Sequence, residues 1–199
     1  MLKEESYQLA AKTIGCTVSA IKAVDRVESN GAGMIDGRPV ILFEPHIWWK
    51  ELRKAGVAPE TLLKEYGDML YQKWGTKPYP KGQDAQHARL ARAIAVGKGM
   101  PKERVLRDAA LRSCSWGRFQ ICGFNYGATG SASVQEFINR IYQGDEEHLQ
   151  LFVAYVKSEH LDDELRAQDW KSFALQYNGS LYYKNQYDTK LRTAEASFR

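Results

Sequence analysis

The sequence predicts a mostly helical α+β domain with one small β-hairpin, and three observations carry that reading. Apolar residues recur at helical spacing along most of the chain, beginning with Ile21 and Val24, three apart. One β-prone apolar run, Val40-Ile-Leu-Phe43, follows the turn dipeptide Asp36-Gly37. The 199 residues, 44% hydrophobic and 26% charged, suit one compact globular domain and exclude a disordered chain.

In chain order, residues 4–15 and 19–29 read as two helices separated by Gly15-Cys-Thr. Residues 34–44 read as the hairpin, and 46–53 resume a helical pattern. Residues 59–64 add a short helical turn. Residues 75–84 must be a loop, since two prolines and two glycines fall within them, and a loop of that length can carry function. Helices are expected at 86–96 and 102–113, divided by Gly97-Lys-Gly-Met-Pro101. The second should form a buried central helix containing Ala109, Leu111 and Cys114. Helices follow at 133–143, 146–160 and 162–176. The last, 188–198, takes Asp188 as N-cap and places Leu191 and Phe198 on one face. No internal repeat, low-complexity tract or second boundary appears, so one domain spanning 1–199 is expected.

Composition and spacing remove several function classes. No apolar run approaches the roughly 20 residues needed to span a bilayer, so stable membrane insertion is not expected. The start, Met-Leu-Lys-Glu-Glu-Ser-Tyr-Gln-Leu-Ala10, lacks the basic and apolar regions of a secretory signal, which places synthesis and initial residence in the cytoplasm. Cys16, Cys114 and Cys122 are an odd set without C-x-x-C spacing, and reduced thiols are the expected state. The four histidines, His46, His87, His148 and His160, show no ligand spacing, so no metal site is expected. The net charge of +4 favours anionic polymers. A nucleic-acid partner is not expected, because the basic residues are scattered and matched by 24 acids.

Glu28 is the residue that points to chemistry. It falls four after Val24 and seven after Ile21, on the stripe that should bury apolar side chains. The segment Ser29-Asn-Gly-Ala-Gly33 then stops the helix. A poorly solvated carboxyl at that position keeps its proton to higher pH, as a general acid requires. Read alone, Glu28 would be a solvated residue at a frayed helix end.

Two later segments change that balance: Gly117-x-x-Gln120, inside Ser113-Cys-Ser-Trp-Gly-Arg-Phe-Gln-Ile121, and Tyr177-Asn-Gly179. The order Glu-Ser, Gly-x-x-Gln, Tyr-Asn-Gly resembles goose-type lysozymes and lytic transglycosylases. A closer resemblance is to the phage N-acetylmuramidase endolysins. It is carried by Val27-Glu-Ser-Asn-Gly-Ala-Gly33, Asp36-Gly-Arg-Pro39, Ile41-Leu-Phe-Glu-Pro-His46 and Ala109-Ala-Leu-Arg-Ser-Cys-Ser-Trp-Gly117. Further on it is carried by Phe119-Gln-Ile-Cys-Gly-Phe-Asn-Tyr126, Trp170 to Gly179 and Asn185-Gln-Tyr-Asp-Thr-Lys-Leu191. The match spans roughly residues 15 to 195.

The resemblance implies a lysozyme-like α+β fold with the hairpin beside the catalytic helix. It also implies hydrolysis of the bond between N-acetylmuramic acid and N-acetylglucosamine in peptidoglycan glycan strands. Glu28 would be the acid. Glu44 and Asp36 are the nearest further carboxylates in sequence. Asp36 reads first as a turn residue, and Glu44 reads equally as a partner of Arg38 or His46 or as the second catalytic group. Gln120, Tyr177 and Asn178 would bind substrate. Their local alternatives are an amide satisfied by backbone and an ordinary Tyr-Asn-Gly turn. Tyr126 would extend the groove, and one of Trp48 and Trp49 could line it. No cofactor is implied, and a monomer is expected. The implied biology is a phage or prophage lysis protein held in the host bacterial cytoplasm until released to the wall. The alternatives are a lytic transglycosylase on the same bond and, from another class, a non-catalytic wall-binding module.

Overall fold

The computed structural model describes residues 2–29 and 31–199. Helix α1, Glu4–Ile14, ends where Gly15 turns left-handed and its N–H returns to Ala11 O. Helix α2, Val18–Ser29, buries the stripe Ala20, Ile21, Ala23 and Val24. Glu28 lies on the last turn of that helix, as its spacing predicts. Asn30, part of the predicted stop segment, lies outside the described residues.

Strands β1 (Met34–Ile35) and β2 (Arg38–Pro39) pair antiparallel across Asp36-Gly37, both of which take positive φ. This hairpin is smaller than the predicted 34–44 unit. Strand β3, Ile41–Phe43, leaves it and pairs with β4, Cys114–Trp116, which pairs in turn with β5, Ile121–Cys122. A second small sheet therefore exists, which the sequence reading lacked. Strands of two or three residues are too short to show an alternating pattern. Cys114 accordingly lies in a strand, because α6, Glu103–Arg112, ends two residues before it. The three cysteines are free thiols.

The outer edge of β3 is closed by side chains. Gln83 Oε1 accepts from Ile41 N–H at 2.8 Å, and its Nε2 donates to Ile41 O at 3.2 Å. Gln86 Oε1 accepts from Phe43 N–H at 3.0 Å, while its Nε2 donates to Pro80 O at 2.8 Å. Two amides of α5, Gln83–Ala95, thus stand in for a fourth strand and satisfy backbone groups that would otherwise be orphaned.

Helix α3 is Pro45–Lys54, with Pro45 in its first turn, where a missing N–H costs nothing. Trp48 and Trp49 are both buried, contrary to the expectation that one faces outward. Helix α3 is held between α6 and the 3-10 turn Pro59–Leu62, so neighbouring faces are both covered. Helix α4, Leu63–Tyr66, follows that turn. The intervening loop ends at Gly82, so Gln83 and Asp84 belong to α5 rather than to the loop.

Helices α7 (Val134–Ile141) and α8 (Asp145–Ser158) come next, α7 capped by Ser133 Oγ accepting from Glu136 N–H. The predicted helix 162–176 is two helices, α9 (Asp162–Ala167) and α10 (Trp170–Tyr177). The break comes where Gln168 takes φ 54 and Asp169 caps α10 through Ser172 N–H. The last helix, α11, is Tyr187–Ala196, so Asp188 sits in its first turn and is not the N-cap. Helix α11 packs along α2, where Ser19 Oγ donates to Glu195 Oε1 at 2.8 Å. Ala109 and Leu111 of α6 are buried, as predicted, as is Ala110 between them, and α6 packs against α3, α5 and α7.

Candidate active site

Alternation along the three-stranded sheet sorts its side chains onto two faces. Ile41, Phe43, Cys114, Trp116 and Ile121 are buried on the core face. Leu42, Ser115 and Cys122 lie in one register row on the other, and Glu44 continues that face beyond β3. Trp116 packs underneath, its Nε1 donating to Leu111 O at 3.0 Å.

Glu28 reaches the same region from α2. Asn178 Nδ2 donates to its Oε1 at 2.8 Å, a contact 150 residues apart in sequence. Burial pushes the Glu28 carboxyl up to about 7, and the Asn178 hydrogen bond only partly offsets this. Burial thus supplies the desolvation anticipated from sequence.

Glu44 is half-buried and also pushed upward by desolvation, against the lowering effect of a hydrogen bond from Tyr79 Oη. His46 Nδ1 lies 3.4 Å from the same Glu44 oxygen, Oε2. Burial and Lys50 lower His46 to about 4, so it is neutral near pH 7. Arg38, the other expected partner of Glu44, pairs instead with Asp84. Asp36 is an exposed turn residue.

The two carboxylates share a neighbourhood. Each raises the thiol of Cys122, whose pKa burial brings to about 11, and each raises the Tyr187 hydroxyl at the start of α11. Strand β5 and the start of α11 thus lie within electrostatic reach of both acids.

Among the predicted binding residues, Gln120 sits in the turn joining β4 to β5, with φ 48. Its Nε2 donates to Gly117 O at 2.8 Å, so the amide is at least half satisfied by backbone. Gly117, at φ 69, is required there: a Cβ would stand 3.0 Å from the His148 ring and 3.1 Å from Ile141 Cδ1. Tyr177 donates to Phe119 O at 2.6 Å, and its ring stacks on Phe173 at 5.1 Å between centroids. Its ring is therefore part of an aromatic wall with Phe152 and Tyr155. Tyr126 packs half-buried against the core from the 3-10 segment Gly123–Thr129, which also carries the exposed Phe124.

One buried ion network ties this region together. Arg118, inside Gly-Arg-Phe-Gln, makes two hydrogen bonds to Asp25 at 2.6 and 2.8 Å and a third to Asp145 at 2.8 Å. Tyr7 Oη donates to Asp25, and Arg118 N–H donates to His148 Nδ1 at 3.2 Å. Asp25 lies one turn before Glu28. The network therefore fixes the helix carrying Glu28 against the turn carrying Gln120.

The N-acetylmuramidase family profile matches residues 17–199, which includes Glu28, Glu44, Gln120, Tyr126, Tyr177 and Asn178. The chain belongs to the N-acetylmuramidase family. The crystal structure of a Burkholderia AP3 phage endolysin is similar to this muramidase at 37% identity and a TM-score of 0.79. The similarity covers 99% of this chain and 71% of that one. No curated protein sequence matches. The lysozyme-like α+β expectation holds, with two small antiparallel sheets in place of one hairpin. Among the described residues, no helix is long and apolar enough to cross a membrane.

Sequence reasoning missed Tyr79, Cys122 and Tyr187 as members of the site. Tyr79 carried a signal of a kind, since it sits as Pro-Tyr-Pro in a loop long enough to be functional.

Proposed function

We propose that this peptidoglycan muramidase cuts between N-acetylmuramic acid and N-acetylglucosamine, with Glu28 as general acid and Glu44 as second carboxylate. The observation that carries the reading is a Glu28 carboxyl that holds its proton to about pH 7, beside a second half-buried carboxylate acting on the same neighbours. Glu28 delivers a proton to the leaving glycosidic oxygen, and Glu44 activates water or balances charge on the oxocarbenium ion. Gln120 and Asn178 orient sugar amide and hydroxyl groups, Tyr126 extends the groove, and Tyr177 forms its aromatic wall. The chain works as one domain and as a monomer, without a cofactor. It serves as a phage or prophage lysis enzyme, held in the cytoplasm until it reaches the wall.

The second carboxylate favours hydrolysis over intramolecular ring closure, which needs only one acid. Mass spectrometry of digested wall should therefore show reducing N-acetylmuramic acid ends. Products lighter by one water would instead identify a transglycosylase. Glu44→Gln should lower the rate by on the order of 10²-fold while leaving wall binding intact. A variant within threefold of wild type would remove Glu44 from the mechanism. The kcat profile should decline as pH rises through about 7, because Glu28 then loses the proton it must donate. A rate still climbing at pH 9 would rule out Glu28 as the acid.

A further inference from the structure

We infer that Tyr79, carried on the loop between α4 and α5, is a positioning residue that holds Glu44 ionised and aims its free oxygen at the reaction. The inference rests on the reading of Glu44 as second carboxylate and assigns that residue a partner the family match does not supply.

Tyr79 is presented to Glu44 by a loop tied down at several points. Tyr71 Oη donates to Lys77 O at 3.3 Å, and Lys77 Nζ donates to Gly67 O at 2.6 Å. Gln86 Nε2 holds Pro80 O at 2.8 Å, one residue beyond Tyr79, while its Oε1 holds Phe43 N–H, one residue before Glu44. A single buried amide therefore sets the spacing between the two. Across the site, Lys184 Nζ lies over the Trp74 ring at 5.4 Å, joining the loop to the segment that leads into Tyr187. The loop thus reaches both flanks of the site.

The surroundings make Tyr79 matter. The groups facing Glu44 are Tyr79 and Tyr71 from the loop, His46 from α3, Cys114 and Cys122 from the sheet, and Tyr187 from α11. At neutral pH none of these carries a positive charge. The nearby cations act elsewhere: Lys50 on His46, and Arg89 on Tyr71 and Tyr79. Among the described residues, Tyr79 is the one group donating a hydrogen bond to the Glu44 carboxylate. Both Tyr79 and His46 crowd Oε2, which leaves Oε1 to accept from water or face the cationic sugar.

An O–H donated to a carboxylate favours its ionised form, so removing the donor raises the pH at which Glu44 takes up a proton. Hydrogen bonds to charged groups are strong enough that the acid limb of kcat should move up by about one pH unit in Tyr79→Phe. On the acid side of both limbs the loss should approach tenfold, in kcat with little change in KM. Tyr79→His, which can still donate, should restore part of the shift. A carboxyl ¹³C titration of Glu44 in the folded variant reads the same shift without turnover. If Glu44→Gln is inactive but the acid limb and the titration are unmoved in Tyr79→Phe, Tyr79 has no such role. If Glu44→Gln retains activity, the reading of Glu44 itself fails, and that outcome is recognisable before Tyr79 is tested.

Discussion

Glu28→Gln should abolish lysis, with a rate loss on the order of 10²–10⁴-fold, while making the protein more stable at alkaline pH. The amide preserves the shape of the side chain and still meets Asn178, but it has no proton to transfer. The stability gain follows from the same burial that creates the acid. Burial holds Glu28 near 7 in the folded protein, against 4.5 for an exposed Glu side chain. The proton it retains favours the folded state below about pH 4.5, and that contribution is lost as pH rises through about 7. Above that, folding must bury an ionised carboxylate. The variant should therefore match wild type at pH 4 and exceed it at pH 8, by on the order of 2–3 kcal/mol. Denaturant unfolding at both pH values checks this. Equal stability at pH 8 would mean that Glu28 is not desolvated, and retained lysis would remove it from the mechanism.

Arg118→Leu should be the most damaging single change to stability among the polar residues. It strips from buried Asp25 the two hydrogen bonds donated by Arg118, leaving that of Tyr7 Oη, and takes one donor from Asp145. Breaking one side of a buried pair costs about 3–5 kcal/mol. For a chain of 199 residues, that corresponds to a fall in Tm of roughly 6–20 °C. Replacing both partners, Arg118→Met with Asp25→Leu, should recover much of the stability, since both charges of the buried Arg118–Asp25 pair are removed together, although Asp145 still loses one donor. It should not recover activity, because α2 would no longer be fixed against the Gly117–Gln120 turn. Calorimetry and a turbidity assay on the two variants separate these effects. A Tm fall under 2 °C in the single variant would show that the network is not structural.

The helical frame was legible from spacing because most helices are long enough to repeat an apolar stripe several times. Glu28 was legible for the same reason, as an acid on such a stripe, although the buried Asp25 on the same helix was not singled out. The second sheet was not, since β4 and β5 are too short to alternate visibly, and they form only because β3 pairs with residues more than 70 positions away. The break at Gln168 was hidden for a related reason: the apolar period continues across it, and only the cap at Asp169 marks it. Glu44 could be named from sequence but not assigned, because its partner Tyr79 is 35 residues distant in a loop without periodicity. Tyr177 was read as a substrate-binding residue, but the stacking of its ring on Phe173 was not legible. A motif identifies which residues gather at a site, and only packing determines which way each faces.

Helix α2, which carries the acid, is translated near the beginning of the chain, whereas α11, against which it packs, is translated near the end. Ser19 and Glu195, which join them, are 176 residues apart. At ordinary ribosomal rates of about 5–20 residues per second, that interval is roughly 9–35 s. During that time α2 lacks the helix against which it packs in the finished fold. The face of α2 that meets α11 therefore stays uncovered until translation is nearly finished, so that a chain truncated before residue 187 should lack the contacts of that face.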